Sequence, residues 1–202
     1  MTQKKHLALV LLLPALLFAG CISRNAPEVA YYSLQSIEQL GPDRAGQPGQ
    51  NIVLGIGPVT LPASLKRSQI VTREADNRYQ FSDLHRWAGL LEEDLARTIG
   101  ENLAFLLDLE TVVYHPWGRV HRPDRRLLVE VLRFDGSRQG EAVLSVRWTL
   151  TGGEGTQPLA GGKSVYRQPV AGGGYAGLVR TESLLLAALS REIAEAIRQT
   201  VE

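Results

Sequence analysis

The single cysteine in this 202-residue chain, Cys21, is the feature that most constrains how the chain folds. It directly follows an apolar run that ends in Leu-Phe-Ala-Gly at residues 17–20, and Lys4 and Lys5 lie before that run. The run is shorter than the roughly 20 residues that span a bilayer. A basic start, a short apolar stretch and small residues before a cysteine are typical of a bacterial lipoprotein leader. We therefore expect residues 1–20 to be a signal peptide and the Cys21 thiol to be acylated.

Acylation of Cys21 leaves the chain without a free thiol. Disulfides, a thiolate nucleophile and a cysteine-bearing zinc site are then excluded, so the exported domain has to be held together by its apolar core. Two other interpretations of Cys21 stay open, namely a buried thiol near the N-terminus and an uncleaved membrane anchor. Ile22 stands where an aspartate typically retains lipoproteins in the inner membrane of enteric bacteria, which favours the periplasmic face of the outer membrane.

The charges of the mature chain nearly balance. Two of the 22 lysines and arginines lie in the leader, which leaves 20 basic residues against 21 acidic ones. A nucleic-acid-binding protein needs a basic excess on one face, and a polybasic membrane-surface protein needs a basic cluster. The balance argues against both classes, so we expect no nucleic-acid partner.

The mature sequence divides into a short polar tether, residues 21–30, and a single domain, residues 31–202. Alternating apolar residues at 142–151 predict an antiparallel strand with one buried face. Apolar spacings of three and four predict two long helices, one from Ser82 or Asp83 to about Leu106 and one from about Thr181 to Val201. Further strands are predicted at residues 31–34, 70–73, 79–81, 111–114, 126–134 and 159–167. Residues 52–56 and 59–61 are either one strand bent at residues 57–58 or two short strands. We therefore predict an α+β fold, with a mostly antiparallel sheet and two long helices packed on one face.

The sequence offers no catalytic constellation. It has neither a Gly-x-Ser-x-Gly elbow nor a His-x-x-x-His spacing, and the glycines at 172–174 lack the Lys-Ser/Thr of a phosphate loop. His115 and His121 are better explained as loop residues than as a weak metal site. We expect no catalytic residue, no cofactor and no metal site. The glycine-rich loop is either a connection between elements or a lid over a ligand.

Three residues are candidates for contact with a partner: Arg67, Arg73 and Trp117. Trp117 lies in a Pro/Gly loop, where it is either an exposed contact or a cap on the domain edge. Arg67 and Arg73 lie at the predicted hairpin. They are either solvated, paired with acids such as Glu74 and Asp76, or in contact with a partner.

Several short motifs follow one another behind the lipoprotein leader. They are Tyr31-Tyr32-x-Leu34, Ile56-Gly-Pro58-Val59-x-Leu61-Pro62, Leu65-x-Arg67-x-Gln69-Ile70-Val71-x-Arg73, Phe81-x-x-x-x-x-Trp87-Ala88-x-x-Leu91, Asn102-Leu103, Pro116-Trp117 and Leu189-Ser190-x-x-Ile193-Ala194. Each motif alone is weak, but the ordered set covers nearly the whole mature chain. In this order the motifs resemble the PqiC/YmbA-type lipoproteins, the auxiliary lipoprotein component of MCE-type ABC transport systems.

The resemblance implies a non-enzymatic periplasmic module that is anchored in the outer membrane by its acyl chains. Members of this family work with an MCE-domain protein that reaches across the periplasm, in systems tied to lipid traffic and envelope integrity. The alternative function is a lipoprotein that itself binds a small ligand or a lipid monomer, to which Trp117 and the loop at 172–174 point. A homo-oligomer stays open, since no sequence feature requires one.

Overall fold

The computed structural model describes residues 27–41, 52–75, 77–118 and 122–200. Cys21 lies outside these ranges, so its lipidation stays a prediction. In chain order the elements are β1 (Ala30–Tyr32), α1 (Ile37–Leu40), β2 (Val53–Thr60), a 3-10 turn (Ala63–Leu65), β3 (Gln69–Ala75), β4 (Arg78–Trp87), α2 (Leu91–Leu107), β5 (Thr111–Tyr114), β6 (Arg125–Gly136), β7 (Glu141–Gly152), β8 (Pro158–Pro169) and α3 (Gly174–Gln199).

Strand β6 is the centre of an eight-stranded sheet. β7 pairs with it in antiparallel register along its whole length, and β8 pairs with β7 in the same sense. On the other edge of β6, β2 pairs in parallel with the first half, and β3 meets the last residue through Thr72 and Gly136. The sheet therefore branches, with β5 beside β2, and with β4 and β1 continuing from β3. Most of the paired residues are antiparallel, which confirms the predicted fold class.

Helices α2 and α3 pack against each other and against the sheet, as predicted. The predicted alternation in β7 is confirmed in the middle of the strand, where Leu144, Val146, Trp148 and Leu150 are buried and the residues between them are not. Near the two ends, Val143 and Thr151 on the other face are buried as well. Full burial of such a side chain contributes about 1.5–3 kcal/mol to folding. The layer between the sheet and the two helices is therefore the main stabilising contact of the domain.

The predicted helix start at Ser82 or Asp83 is wrong. β4 continues to Trp87, and α2 begins at Leu91. Trp87 pairs in parallel register with Tyr32 of β1, while β3 pairs with the other edge of β4. Strands on both sides hold this segment extended, and such tertiary pairing overrides a local helical spacing of apolar residues.

Helix α3 begins at Gly174, seven residues before the predicted start near Thr181. The three glycines at 172–174 have φ angles of 76°, 64° and 68°. Residues with side chains rarely adopt such angles, so glycine is needed for this turn into the helix. Burial of Tyr175 and Leu178 offsets the low helix propensity of the first turn. The one-turn helix α1 was not predicted either.

Asn102 connects all three helices. It is fully buried on α2, where its Oδ1 accepts a hydrogen bond from the Ile37 N–H of α1 at 2.7 Å. Its Nδ2 donates to the Ser190 hydroxyl of α3 at 3.1 Å, and that hydroxyl donates to the Leu186 carbonyl at 2.9 Å. Asn102 therefore satisfies a buried backbone donor that has no helical partner of its own.

Replacing Asn102 with alanine leaves the Ile37 N–H without an acceptor and opens a small cavity. We expect N102A to lower the free energy of unfolding by about 2–4 kcal/mol, measured by urea denaturation. The matched control is Ser190→Ala, which spares the backbone donor and should cost less. An equal loss in both variants would contradict the role given to Asn102.

Glu182 of α3 is a second fully buried polar side chain. It is 1% exposed, and its Oε2 has no hydrogen-bond partner in the described part of the chain. Burial raises the pKa of Glu182 well above its usual range, and the negative charge of Asp135 on β6 raises it further. The folded domain therefore keeps a proton on Glu182 at pH values where the unfolded chain has released it.

The stability contribution linked to this proton should be fully present below the ordinary glutamate pKa of 4.5 and be lost as the pH rises toward the folded pKa. In this range the folded chain binds one proton more than the unfolded chain. The free energy of unfolding therefore falls by up to about 1.4 kcal/mol for each unit by which the pH rises. Glu182→Gln is neutral at every pH and nearly the same size, so it should lack this slope. Urea denaturation of both proteins between about pH 5 and 8 measures the difference. Parallel pH profiles would show that another group is responsible.

Candidate functional site

Arg67 and Arg73 lie in one row of stacked side chains at the β3–β4 hairpin. The guanidinium carbon of Arg67 is 3.9 Å from the centroid of the Phe81 ring, and that of Arg73 is 4.3 Å from the Tyr79 centroid. The two rings stack with their centroids 6.4 Å apart. Tyr79 and Phe81 share a face because they are two residues apart in β4. We call these four side chains the arginine–aromatic ladder.

Arg73 is held in the ladder by a buried carboxylate. Its Nε and Nη2 donate to the two oxygens of Asp135 at 3.0 and 2.8 Å, and Nη2 also donates to the Tyr79 hydroxyl at 2.6 Å. Arg133 adds a second guanidinium, with its Nε 2.9 Å from Asp135 Oδ1. The Asp135 side chain is only 3% exposed, and its hydrogen bonds raise the pKa of Arg73. Arg73 is therefore a fixed cation rather than a mobile one.

Arg67, at the outer end of the ladder, has no such support. Its guanidinium stacks on the Phe81 ring and forms no ion pair with a carboxylate in the ranges that the structure describes. Phe81 and Tyr79 are 39% and 38% exposed. Arginine and aromatic side chains are common at the energetic centres of protein interfaces. The ladder thus has the chemistry of a partner-binding surface.

Of the two acids predicted to pair with these arginines, Glu74 pairs elsewhere, and the prediction for Asp76 is not tested. Glu74 forms an ion pair of 2.5 Å with the arginine four residues later, and Asp76 lies outside the described residues. The carboxylate that binds Arg73 is Asp135, which the sequence pattern placed in the loop after β6. In the structure Asp135 is the penultimate residue of that strand.

Trp117 lies far from the ladder, in the loop that follows β5. Its Nε1 is 2.9 Å from the position that a side-chain carbon on Gly55 would take, so the glycine lets the indole lie against β2. The guanidinium carbon of Arg126 is 4.8 Å from the centroid of the indole. Arg126 and Asp135 are separated by nine residues of β6, or about 30 Å. The structure therefore brings Arg67 and Arg73 together but places Trp117 in a second site.

This second site is a pocket of about 620 Å³ beside Trp117. Its lining includes three arginines, Arg122, Arg125 and Arg126, and two acids, Asp124 and Glu154. Asp124 fixes the loop before β6 to β2, because its Oδ2 accepts a hydrogen bond of 2.8 Å from the backbone N–H that starts that strand. Trp117 therefore caps the domain edge and lines a cationic pocket at the same time.

The described part of the chain contains no group of three His, Cys, Asp or Glu side chains placed to hold a metal ion. His115 makes an edge-on contact with Trp117, with ring centroids 5.2 Å apart, and His121 lies outside the described residues. None of the described helices is long and apolar enough to cross a membrane.

Two solved structures share this fold. One, of an uncharacterized protein, has a TM-score of 0.67 at 24% identity and covers 84% of this chain and 99% of its own. The other, protein XCC0632 from Xanthomonas campestris, has a TM-score of 0.66 at 14% identity and covers 82% of this chain and 93% of its own.

The sequence comparisons identify the family. The intermembrane transport lipoprotein PqiC of Escherichia coli K12 is 30% identical over 136 residues, which is 67% of this chain and 70% of PqiC. PqiC of Shigella flexneri matches with the same values. The family model described as the ABC-type transport auxiliary lipoprotein component matches residues 32–194. The chain therefore belongs to the family of ABC-type transport auxiliary lipoproteins.

Proposed function

We propose that this chain is a non-enzymatic auxiliary subunit of an MCE-type ABC system for intermembrane lipid transport. Residues 1–20 are its signal peptide, residues 21–30 its tether and residues 31–202 its domain. Acyl chains on Cys21 anchor it in the periplasmic face of the outer membrane. Its partner is an MCE-domain protein that spans the periplasm, and the system contributes to envelope integrity. Family membership and the name of PqiC as an intermembrane transport lipoprotein support this proposal.

The observation that carries the partner-binding part of the proposal is the arginine–aromatic ladder. Asp135 holds Arg73, and through it the Tyr79 hydroxyl, so these side chains lose little freedom when a partner binds. Phe81 and Arg67 then offer a half-exposed ring and an unpaired positive charge. The partner surface that fits is acidic, with apolar side chains to cover the Phe81 ring.

The proposed mechanism is mechanical. Each methylene of an acyl chain buried in the bilayer contributes about 0.8 kcal/mol, so several chains on Cys21 make attachment essentially permanent. A tether of ten residues spans at most about 35 Å when it is fully extended. The domain then stays within that distance of the outer membrane. There it docks onto, or caps, the end of a conduit that reaches from the inner membrane.

Truncating the exposed end of the ladder should weaken partner binding. We expect the double variant Arg67→Ala, Phe81→Ala to raise the Kd for the MCE protein by roughly 30-fold or more, because interface centres contribute about 2 kcal/mol or more. Titration of detergent-solubilised proteins measures this. Arg147→Ala is the matched control, since Arg147 is exposed and pairs with Glu130 across β6 and β7. An unchanged Kd in the double variant would place the interface elsewhere, and failure of the wild-type chain to capture any MCE protein would contradict the proposed partner.

Replacing Cys21 with serine should abolish membrane attachment. We expect the wild-type protein to carry acyl chains on its first mature residue and to fractionate with the outer membrane, and the Cys21→Ser protein to lack both properties. Intact-mass spectrometry and membrane fractionation measure these outcomes. An unacylated wild-type Cys21 would contradict the anchoring mechanism, and acylated protein in the inner-membrane fraction would contradict the location.

The alternative function is a lipoprotein that itself binds a small ligand or a lipid monomer. The observation in its favour is the cationic pocket beside Trp117. Native mass spectrometry of the detergent-extracted protein tests it directly, because a bound phospholipid adds a discrete mass.

A further inference from the structure

Four buried side-chain atoms at or beside the Trp117 pocket have no hydrogen-bond partner among the described residues. They are Nε1 of Trp117, Nε of Arg125, Nε of Arg126 and Oγ1 of Thr151. Leaving a buried polar atom unpaired costs about 1–3 kcal/mol. Arg125 precedes Arg126 in β6 and points to the opposite face of the sheet, so the other three atoms share one face and require a physical explanation.

The register of the sheet brings these three atoms together. Arg126 lies opposite Gly55 of β2 on one side and opposite Thr151 of β7 on the other. Residues directly opposite each other point to the same face, with their Cα atoms about 5 Å apart. Trp117 Nε1 occupies the space above Gly55, 2.9 Å from where a side-chain carbon would stand. The indole N–H, the guanidinium and the hydroxyl therefore lie side by side on one face.

The chemistry of these groups selects the ligand. Indole and guanidinium N–H groups can only donate hydrogen bonds, and a threonine hydroxyl can donate as well. Arg126 has no ion pair with any carboxylate in the described part of the chain: of the two acids that line the pocket, Asp124 accepts from the β2 backbone and Glu154 does not pair with Arg126. A ligand that satisfies all three donors has to accept hydrogen bonds from several directions, and the guanidinium charge favours a negative one. A phosphate group has this charge and this arrangement of oxygens.

Glycines allow close packing beside the pocket. A side-chain carbon on Gly55 would stand 2.8 Å from Pro123 Cβ and 2.9 Å from Trp117 Nε1, and one on Gly155 would stand 2.7 Å from Nη1 of Arg126. The two glycines therefore let the indole and the guanidinium lie directly against the backbone. The pocket of about 620 Å³ is within the usual size range of small-molecule sites, so it also has room for the molecule that carries the phosphate.

We propose that the pocket beside Trp117 binds a phosphate group, with Arg126, the Trp117 indole N–H and the Thr151 hydroxyl as its donors. The phosphate belongs either to a phospholipid headgroup or to free inorganic phosphate, since the recognising chemistry is the same. This site goes beyond the proposed partner-binding function and does not depend on the ladder.

The indole N–H of Trp117 is itself the probe for the test. The full lipidated chain, labelled with ¹⁵N at its tryptophan indoles and held in a phosphate-free detergent, is titrated with inorganic phosphate and separately with dihexanoyl phosphatidylglycerol at constant ionic strength. Sodium chloride and dihexanoyl glycerol serve as control ligands. Trp117→Phe assigns the signal. Trp148 is the internal reference, because its Nε1 already donates to Ser164 and Glu192.

We expect a saturable shift of the Trp117 signal with both phosphate compounds and with neither control ligand. Arg126→Gln should weaken the apparent Kd at least 10-fold, and Thr151→Val, a change of nearly equal volume, about threefold or more. Arg147→Gln is the matched control and should leave the Kd unchanged. A Kd at least 10-fold lower for the phospholipid supports a headgroup site, and similar Kd values support a site for free phosphate.

Three results would overturn the proposal. The first is the absence of a saturable shift with either phosphate compound. The second is an equal shift with chloride or with dihexanoyl glycerol. The third is an unchanged Kd in Arg126→Gln and Thr151→Val proteins whose Trp148 signal shows that they are folded.

Discussion

The backbone pairing of β6 is the interaction on which the rest of the structure depends, because it joins both branches of the sheet. β7 occupies one edge of β6, and β2 and β3 share the other edge one after the other. Buried backbone groups have to stay paired, so a loss of register in β6 would separate the two branches. The same strand carries Arg126 near its first residue and Asp135 near its last. One continuous strand therefore sets the distance between the Trp117 pocket and the arginine–aromatic ladder.

Arg73 and Arg126 show two settings for a partly buried guanidinium. Arg73 meets the carboxylate of Asp135 with two well-formed hydrogen bonds, and it orients Tyr79 through a third. Such buried pairs often contribute little net stability, because removing both charges from water is costly, but they fix side-chain positions. Arg126 lies over the Trp117 ring, its Nε has no hydrogen-bond partner, and it has no carboxylate partner within the described residues. A half-buried cation without a carboxylate partner breaks the usual rule that buried charges are paired, and proteins break such rules mainly at functional sites.

The parts of the fold that were predictable from sequence are those decided within one element. Strand β7 followed from the alternation of its buried and exposed side chains, and α2 and α3 followed from their helical spacing. The ends of these elements were not predictable, because distant segments decide them. Pairing with β1 keeps β4 extended as far as Trp87, although the apolar spacing there is helical. Burial of Tyr175 starts α3 within a glycine-rich segment whose local propensity argues against a helix.

Some residues of the two candidate sites could be identified from the sequence, but the residues that they contact could not. Arg67 and Arg73 were singled out by their place at the predicted hairpin and Trp117 by its Pro/Gly loop, whereas nothing in the sequence singled out Asp135 or Arg126. Whether a charged residue finds a partner is decided by cross-strand register, which local sequence does not contain. Exposed arginines of β7 and β8 pair with glutamates of β6 and β7. Within the described residues the charge is therefore made up of ion pairs, of unpaired acids such as Glu92 and Glu93, and of unpaired cations such as Arg67 and Arg126. The unpaired cations mark where an acidic partner or an anion would be attracted.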